Sequence, residues 1–247
     1  MGLGYHARYR RMSKRLRLCP LTGLKWRVAR LSRRDWQADR SIASIDVSMH
    51  NRRCDGRYLD CQLHWAKPRF SAFEVSIGDT LQVHNYCSFG HPQHGVLSMA
   101  DAHAVARDEG RAWRERNEDG IQRALHPKPV ELIHWDAAIQ SPRYDETVAR
   151  YKNLILGDDA LRSLLFGEVL ANAERRTAAT IGTDDPRLMQ AADFVFHEIA
   201  DYHIRSEDRC VFHIYPGDEL RVMTALRQHA GTPDVMRTYD FVNLHIR

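Results

Sequence analysis

Short apolar runs of strand length recur along the chain, each followed by a longer stretch in which apolar residues return every three or four positions. Ile42 to Val47 reads as the first buried strand, Tyr58 to Phe70 as a helix and Phe73 to Ile77 as a second strand. A helix over Met99 to Leu125 precedes a strand over Val130 to Trp135. Helical patterns follow from Tyr144 to Arg176 and from Arg187 to Tyr202, and a strand over Cys210 to Tyr215 closes the series. Apolar runs bounded by turn residues mark strands, and a period near 3.6 marks amphipathic helices. Strands alternating with helices of this length predict an α/β fold, a doubly wound and mostly parallel sheet with crossover helices. Ligands of such sheets bind beyond the carboxyl ends of the strands. The first strand ends in Asp46, Ser48, His50 and Asn51, so reactive side chains stand where that rule places a site.

Composition adds a boundary. The 247 residues are 43% hydrophobic, enough for one large domain, and neither a repeat nor a low-complexity linker divides them. Residues 41–247 are expected to form a single domain behind a basic N-terminal extension, residues 1–40. The extension carries Arg8, Arg10, Arg11, Lys14, Arg15, Arg17, Lys25, Arg27, Arg30, Arg33, Arg34 and Arg40 against Asp35 and Asp39. Such a segment attracts polyanions, phosphate backbones foremost, although a solvated tail or a transit peptide shares its composition. Five cysteines without a CxxC pair fit free thiols in a reducing compartment. No run approaches the roughly 20 apolar residues needed to span a bilayer. A cytoplasmic protein without membrane contact is expected.

Several chemistries can be weighed directly. No G-x-G-x-x-G follows the first strand and no P-loop occurs, so dinucleotide and P-loop readings lack their phosphate cradle. His84, Cys87, His91 and His94 are residue types that bind zinc, but their spacing fits no standard finger. A polar, histidine-rich loop is expected there, with no metal and no cofactor. Met12 to Arg15 and His91 to His94 resemble the two signatures of class I aminoacyl-tRNA synthetases, yet in the wrong order, which argues against ATP-dependent activation. On the helix from Met99, Arg107, Arg111 and Arg114 share one face, with Arg116 and Arg123 beside it. A row of arginines can track a phosphate backbone. The neighbouring Asp108, Glu109, Glu115 and Glu118 leave an ion-paired, solvated face as the alternative. On the helix from Arg187, Phe194, Glu198 and Asp201 lie amid Leu188, Val195 and Ile199. A carboxylate on so apolar a face needs a partner, either a substrate ammonium or an arginine of the protein.

Together these elements resemble the cyclodipeptide synthases, which join the amino acids of two aminoacyl-tRNAs into a cyclic dipeptide. The likeness runs from Ile42 to Pro216. Ile45-Asp46-Val47-Ser48-Met49-His50-Asn51 is similar to the family's first signature, and Phe194 to Ala200 to its second, with phenylalanine in place of a tyrosine and alanine in place of a proline. Tyr144 lies where the family has another active-site tyrosine, and Tyr215-Pro216 resembles its closing pair. The arginine-bearing helix takes the place of the family's tRNA-binding helix.

The resemblance implies a Rossmann-like fold similar to the catalytic domain of class I synthetases. It also implies a ping-pong reaction through an aminoacyl group carried on Ser48. Glu198 would hold the α-ammonium, Tyr215 would relay a proton, and Asn51 and Tyr144 would position the aminoacyl group. Arg107, Arg111, Arg114, Arg116 and Arg123 would bind tRNA. Phe194 cannot donate the hydrogen bond of the family's tyrosine; Tyr202, His50 or His197 would have to compensate. The family's first aminoacyl pocket maps onto Asp46, Ser76, Trp135 and Asp201. Two carboxylates suit a cationic guest, so Arg-tRNA is expected first, ahead of His-tRNA or Lys-tRNA, unless arginines of the protein pair with them. The main alternative is a non-catalytic tRNA-binding or RNA-binding module. A serine hydrolase is disfavoured, because Ser48 lacks the G-x-S-x-G elbow.

Overall fold

The computed structural model describes residues 16–31, 42–209 and 211–247. Its centre is set by alternation along β3 (Ile42–Ser48). Side chains of a strand point to opposite faces in turn. Ala43, Ile45 and Val47 join the main apolar cluster, which leaves Ser44, Asp46 and Ser48 on the other face. The strand is therefore two-sided rather than apolar throughout, as its composition suggests.

The described elements run β1 (Arg17–Leu18), β2 (Lys25–Leu31), β3, α1 (Gly56–Ala66), β4 (Ala72–Gly78), α2 (Val83–Ser88), α3 (Met99–Leu125), β5 (Val130–His134) and α4 (Trp135–Ala138). They continue with α5 (Tyr144–Gly157), α6 (Asp159–Thr177), α7 (Arg187–Asp208), β6 (Phe212–Tyr215), α8 (Arg221–Leu226), α9 (Asp234–Thr238) and β7 (Asp240–Ile246). One sheet has the order β1-β2-β7-β6-β3-β4-β5. β7, β6, β3, β4 and β5 pair in parallel, while β2 and β1 add on antiparallel beyond β7. The expected α/β, doubly wound and mostly parallel sheet is present. The chain leaves β3 for β4 on one side and returns to β6 on the other, so the order reverses beside β3, where a crevice opens in folds of this kind.

On one face of the sheet β3, β4, β6 and β7 pack with residues of α1 and α3, Trp65 and Trp113 among them. On the other face α5, α6, α7, α8 and α9 build a second apolar cluster. Trp113 donates its indole N–H to the Cys54 carbonyl at 3.1 Å, tying α3 to the turn after β3. Among the described residues no helix is long and apolar enough to cross a membrane, and Cys19, Cys54, Cys61 and Cys87 are free thiols.

The helical pattern from Tyr144 to Arg176 breaks at the Gly157-Asp158-Asp159 punctuation into α5 and α6, because Asp158 is extended (φ −112°) and caps α6 by accepting the Leu161 N–H at 2.9 Å. Two expectations change. The histidine-rich loop contains α2, whose Val83 and Tyr86 pack on Ala102 and Ala106 of α3. Part of the basic extension belongs to the sheet: in β2, Trp26 packs into the apolar core and Val28 against it, while Lys25 and Arg27 take the alternate positions. Basic residues before residue 16 and within residues 32–41, the Met12 to Arg15 fragment included, lie outside the described residues.

Candidate active site

The carboxyl ends of β3 and β6 open into a cavity of about 960 Å³, floored by the sheet and walled by α6, α7 and α8. Ser48, Asn51, Glu198 and Tyr215 all line it. Asn51 follows β3 in a 3₁₀ turn (Arg52–Cys54), which its side chain caps by accepting the Arg53 N–H at 3.0 Å. The same side chain donates to the Tyr215 hydroxyl at 3.1 Å, joining the ends of β3 and β6. Burial pushes the Tyr215 hydroxyl well above its ordinary value, so it stays protonated. Gly217 allows the ring to lie against the backbone, since a Cβ there would come within 2.8 Å of Tyr215 Cε1.

Beside Ser48 lies a smaller cavity of about 30 Å³. Asp46, Ser76, Trp135, Phe194 and Asp201 all line it, together with Glu198, Tyr202 and Arg205. Thus the residues assigned from sequence to a first aminoacyl pocket do converge. The space among them is about that of a single water molecule.

α7 supplies the opposing wall. Its inward stripe reads Phe194, Glu198, Asp201, Tyr202 and Arg205, facing Asp46 and Ser76 across the smaller cavity. Arg205 is buried and acts as a hub. It donates to Asp201 Oδ2 at 2.6 and 2.8 Å, to Glu74 Oε1 at 2.7 Å, to Ser44 Oγ at 2.7 Å and to Asp46 Oδ1 at 3.2 Å. His213 on β6 meets the other Asp46 oxygen at 3.1 Å. Burial alone would raise the Asp46 carboxyl, but His213 and Arg205 hold it below its ordinary value. Burial wins at Asp201, which is raised in spite of Arg205; its Oδ1 is buried without a hydrogen-bond partner among the described residues.

The two carboxylates expected to await a cationic guest are thus paired by an arginine of the chain itself. Sequence reasoning missed Arg205 as their partner. The available signal was its place four residues after Asp201 on one helix.

Glu198 differs from these. Among the described residues no hydrogen bond or ion pair engages its carboxylate. Burial, reinforced by repulsion from Asp46, Asp201, Glu168 and Glu219, pushes its pKa up to about 8. Tyr202 stands one turn further along the same stripe and lines both cavities.

Other expected residues are elsewhere. Tyr144 on α5 packs against Ala200 and Ile204, and its hydroxyl meets His197 Nδ1 at 3.0 Å; it lines neither cavity. His84 stacks on His197 at 4.6 Å between ring centroids, and burial pushes it down to about 4. His50 Nε2 meets the Tyr86 hydroxyl at 2.6 Å, Tyr86 donates to Glu109, and His91 meets Glu109 at 2.9 Å. That relay reaches the larger cavity through His50. Among the described residues no cluster of His, Cys, Asp and Glu is arranged to hold a metal.

On α3 most of the expected tRNA-binding arginines are ion-paired. Arg107 meets Asp136 at 2.8 Å, Arg114 meets Glu118 at 2.9 Å, Arg116 meets Asp55 at 3.3 Å and Arg111 pairs with Asp108. Arg123 is exposed near the end of the helix.

No family model and no curated protein matches the sequence. The solved structures that match place the chain in a fold class, the Rossmann-like fold of the cyclodipeptide synthases. A cyclodipeptide synthase from Fluoribacter dumoffii aligns with TM-score 0.72 and 16% identity, over 84% of this chain and 91% of that one. A Mycobacterium tuberculosis protein described as relating such enzymes to type I tRNA synthetases aligns with TM-score 0.65 and 14% identity, over 100% of both chains. A synthase from Candidatus Glomeribacter gigasporarum, solved bound to Phe-tRNAPhe, aligns with TM-score 0.59 and 14% identity, over 85% of this chain and 88% of that one.

Proposed function

We propose that the protein is a tRNA-dependent cyclodipeptide synthase. The observation that carries this reading is the meeting of Ser48, Asn51, Tyr215 and Glu198 around one cavity at the carboxyl ends of the parallel strands, within that fold. Ser48 Oγ attacks the ester carbonyl of the first aminoacyl-tRNA; the tRNA ribose oxygen leaves with a proton, and a seryl ester remains. The substrate ester is already activated, so no ATP is consumed at this site.

Glu198 receives the α-ammonium of the bound aminoacyl group through a charge-assisted hydrogen bond. Its raised carboxyl is basic enough to take a proton from that ammonium and leave a nucleophilic amine. That amine attacks the ester of the second aminoacyl-tRNA, which forms the peptide bond and releases the second tRNA. The terminal amine of the dipeptidyl-enzyme then attacks the seryl ester, closing the ring and returning the proton to Ser48. Tyr215, neutral and held by Asn51, is placed to donate to the developing oxyanion and relay that proton. Tyr202 offers the phenolic hydroxyl that Phe194 lacks.

Arginine as the first amino acid now rests on one group, Asp201 Oδ1, which has no partner among the described residues, because Arg205, His213 and Arg209 pair with the rest of the acidic cluster. A guest as long as arginine must also displace the side chains that close the small cavity.

The test is expression in a bacterial host with mass spectrometry of the medium, alongside Ser48→Ala. Wild type is expected to release cyclic dipeptides, and their masses name both amino acids. S48A is expected to release none and to carry no aminoacyl adduct by intact mass. An adduct that persists in S48A would falsify the nucleophile assignment.

A further inference from the structure

The larger cavity carries an arginine cluster with no role in the chemistry above. Arg53 in the turn after β3, Arg175 and Arg176 in the last turn of α6, and Arg221 at the start of α8 all line it. Arg175 and Arg221 are exposed, whereas Arg53 and Arg176 are half-buried. Among the described residues none of the four makes an ion pair with a carboxylate. Arg176 donates to the Gly90 carbonyl at 3.2 Å and lies over the Tyr86 ring. Burial pushes its pKa down, against the opposing pull of Tyr86 and Glu109.

The acidic side chains of the same cavity are engaged. Glu168 accepts the backbone N–H groups of Arg221 and Val222, Asp218 meets His245 at 2.7 Å, Glu219 pairs with Arg227, and Asp46 with Arg205 and His213. Glu198 is the exception, and its raised value keeps much of it neutral near pH 7. Uncompensated positive charge is therefore concentrated here rather than on α3, where four arginines are already neutralised by nearby carboxylates.

We infer that Arg53, Arg175, Arg176 and Arg221 grip the backbone phosphates of the single-stranded 3′ end of the aminoacyl-tRNA as it enters the cavity. This inference rests on the synthase reading only for the identity of the RNA. The reacting ester sits on the terminal ribose, so the phosphates preceding it must lie beside the cavity when the ester reaches Ser48. Arginine forks suit phosphate oxygens, and single strands are held by positive grooves that follow the backbone. Contacts of this kind ignore the amino acid and the base sequence, as an enzyme taking two different tRNAs requires.

The test compares wild type, Arg175→Ala/Arg221→Ala and Arg175→Lys/Arg221→Lys; both sites are exposed, so truncation removes little packing. Binding of uncharged tRNA is measured against salt, with an intact transcript and with one lacking its single-stranded 3′ nucleotides. For the intact RNA the alanine pair is expected to flatten the slope of log K on log salt by about 0.7 for each phosphate the protein no longer neutralises. The lysine pair should retain the slope, and the truncated RNA should show no difference among the proteins. An unchanged slope, or the same flattening with both RNAs, overturns the inference. Cyclic dipeptide release is read in parallel. Product with unchanged slopes sinks the arginine assignment alone, whereas a 3′-end-dependent slope without product sinks the synthase reading and leaves the phosphate site standing. Failure of wild type to bind tRNA overturns both.

Discussion

Glu198 is a carboxyl group placed among carboxyl groups, facing a cavity and lacking a partner among the described residues. With its folded value near 8 against an ordinary 4.5, the native state keeps a proton that the unfolded chain gives up between those values. Stability from this site is therefore complete below about pH 4.5 and falls as pH rises through 8. Glu198→Gln should be more stable than wild type at pH 8 by about 1–3 kcal/mol, a range discounted because the group faces an open cavity. The gap should close at pH 4.5; chemical denaturation across that range measures it, and a gap independent of pH would refute the assignment. The same variant should lose the aminoacyl adduct on Ser48. At this scale the convergence of Ser48, Asn51, Glu198 and Tyr215 on one cavity was legible, because Ser48 and Tyr215 end strands, Asn51 lies in the turn after β3 and Glu198 sits on the inward stripe of α7. Tyr144 lines neither cavity, since a match of position along the chain says nothing about which way a side chain points. The pairing of Asp46 with His213 was illegible, being made across 167 positions.

Among the elements, α7 governs the site. Its stripe brings Glu198, Asp201, Tyr202 and Arg205 onto the polar face of β3 and β4, with Arg205 bridging Asp46, Glu74 and Asp201 at 3.2, 2.7 and 2.6 Å. Breaking a buried ion network from one side costs more than the network contributes, because charges are left without partners. Arg205→Met should destabilise the protein by roughly 3–5 kcal/mol in urea denaturation, with Arg205→Lys between it and wild type. A destabilisation under about 1 kcal/mol would mean that His213 and Arg209 suffice for Asp46 and Glu74 and that Asp201 finds another partner. The helical period that announced α7 also predicted its apolar anchors Leu188, Val195 and Ile199, all of which are buried. What the period could not show is that the sheet surface beneath is itself polar, carrying Ser44, Glu74 and His213 where an apolar floor was expected.

In the whole molecule the sheet is closed on one side by an antiparallel edge. β2 covers β7, pairing Trp26 with Ile246 and Leu31 with Val242. An uncovered β7 would present unpaired backbone groups beside apolar side chains, a template for association. Deleting residues 1–31 should give a protein that aggregates or elutes as large species in size-exclusion chromatography; a monodisperse, folded truncation would show that the edge is dispensable. The sequence by itself determined the parallel α/β order, the helical patterns from Tyr58, Met99, Tyr144 and Arg187 and the strand-end position of Ser48. Those follow from local periodicity and from the rule that crevices open at strand ends. Only the tertiary structure decided that β2 and β7 join the sheet, that Asp46 and Asp201 share Arg205, and that free positive charge gathers at the cavity rather than along α3. Each of these is set by which distant charges and backbone groups come within a few ångströms of one another, and no spacing along a single chain encodes that.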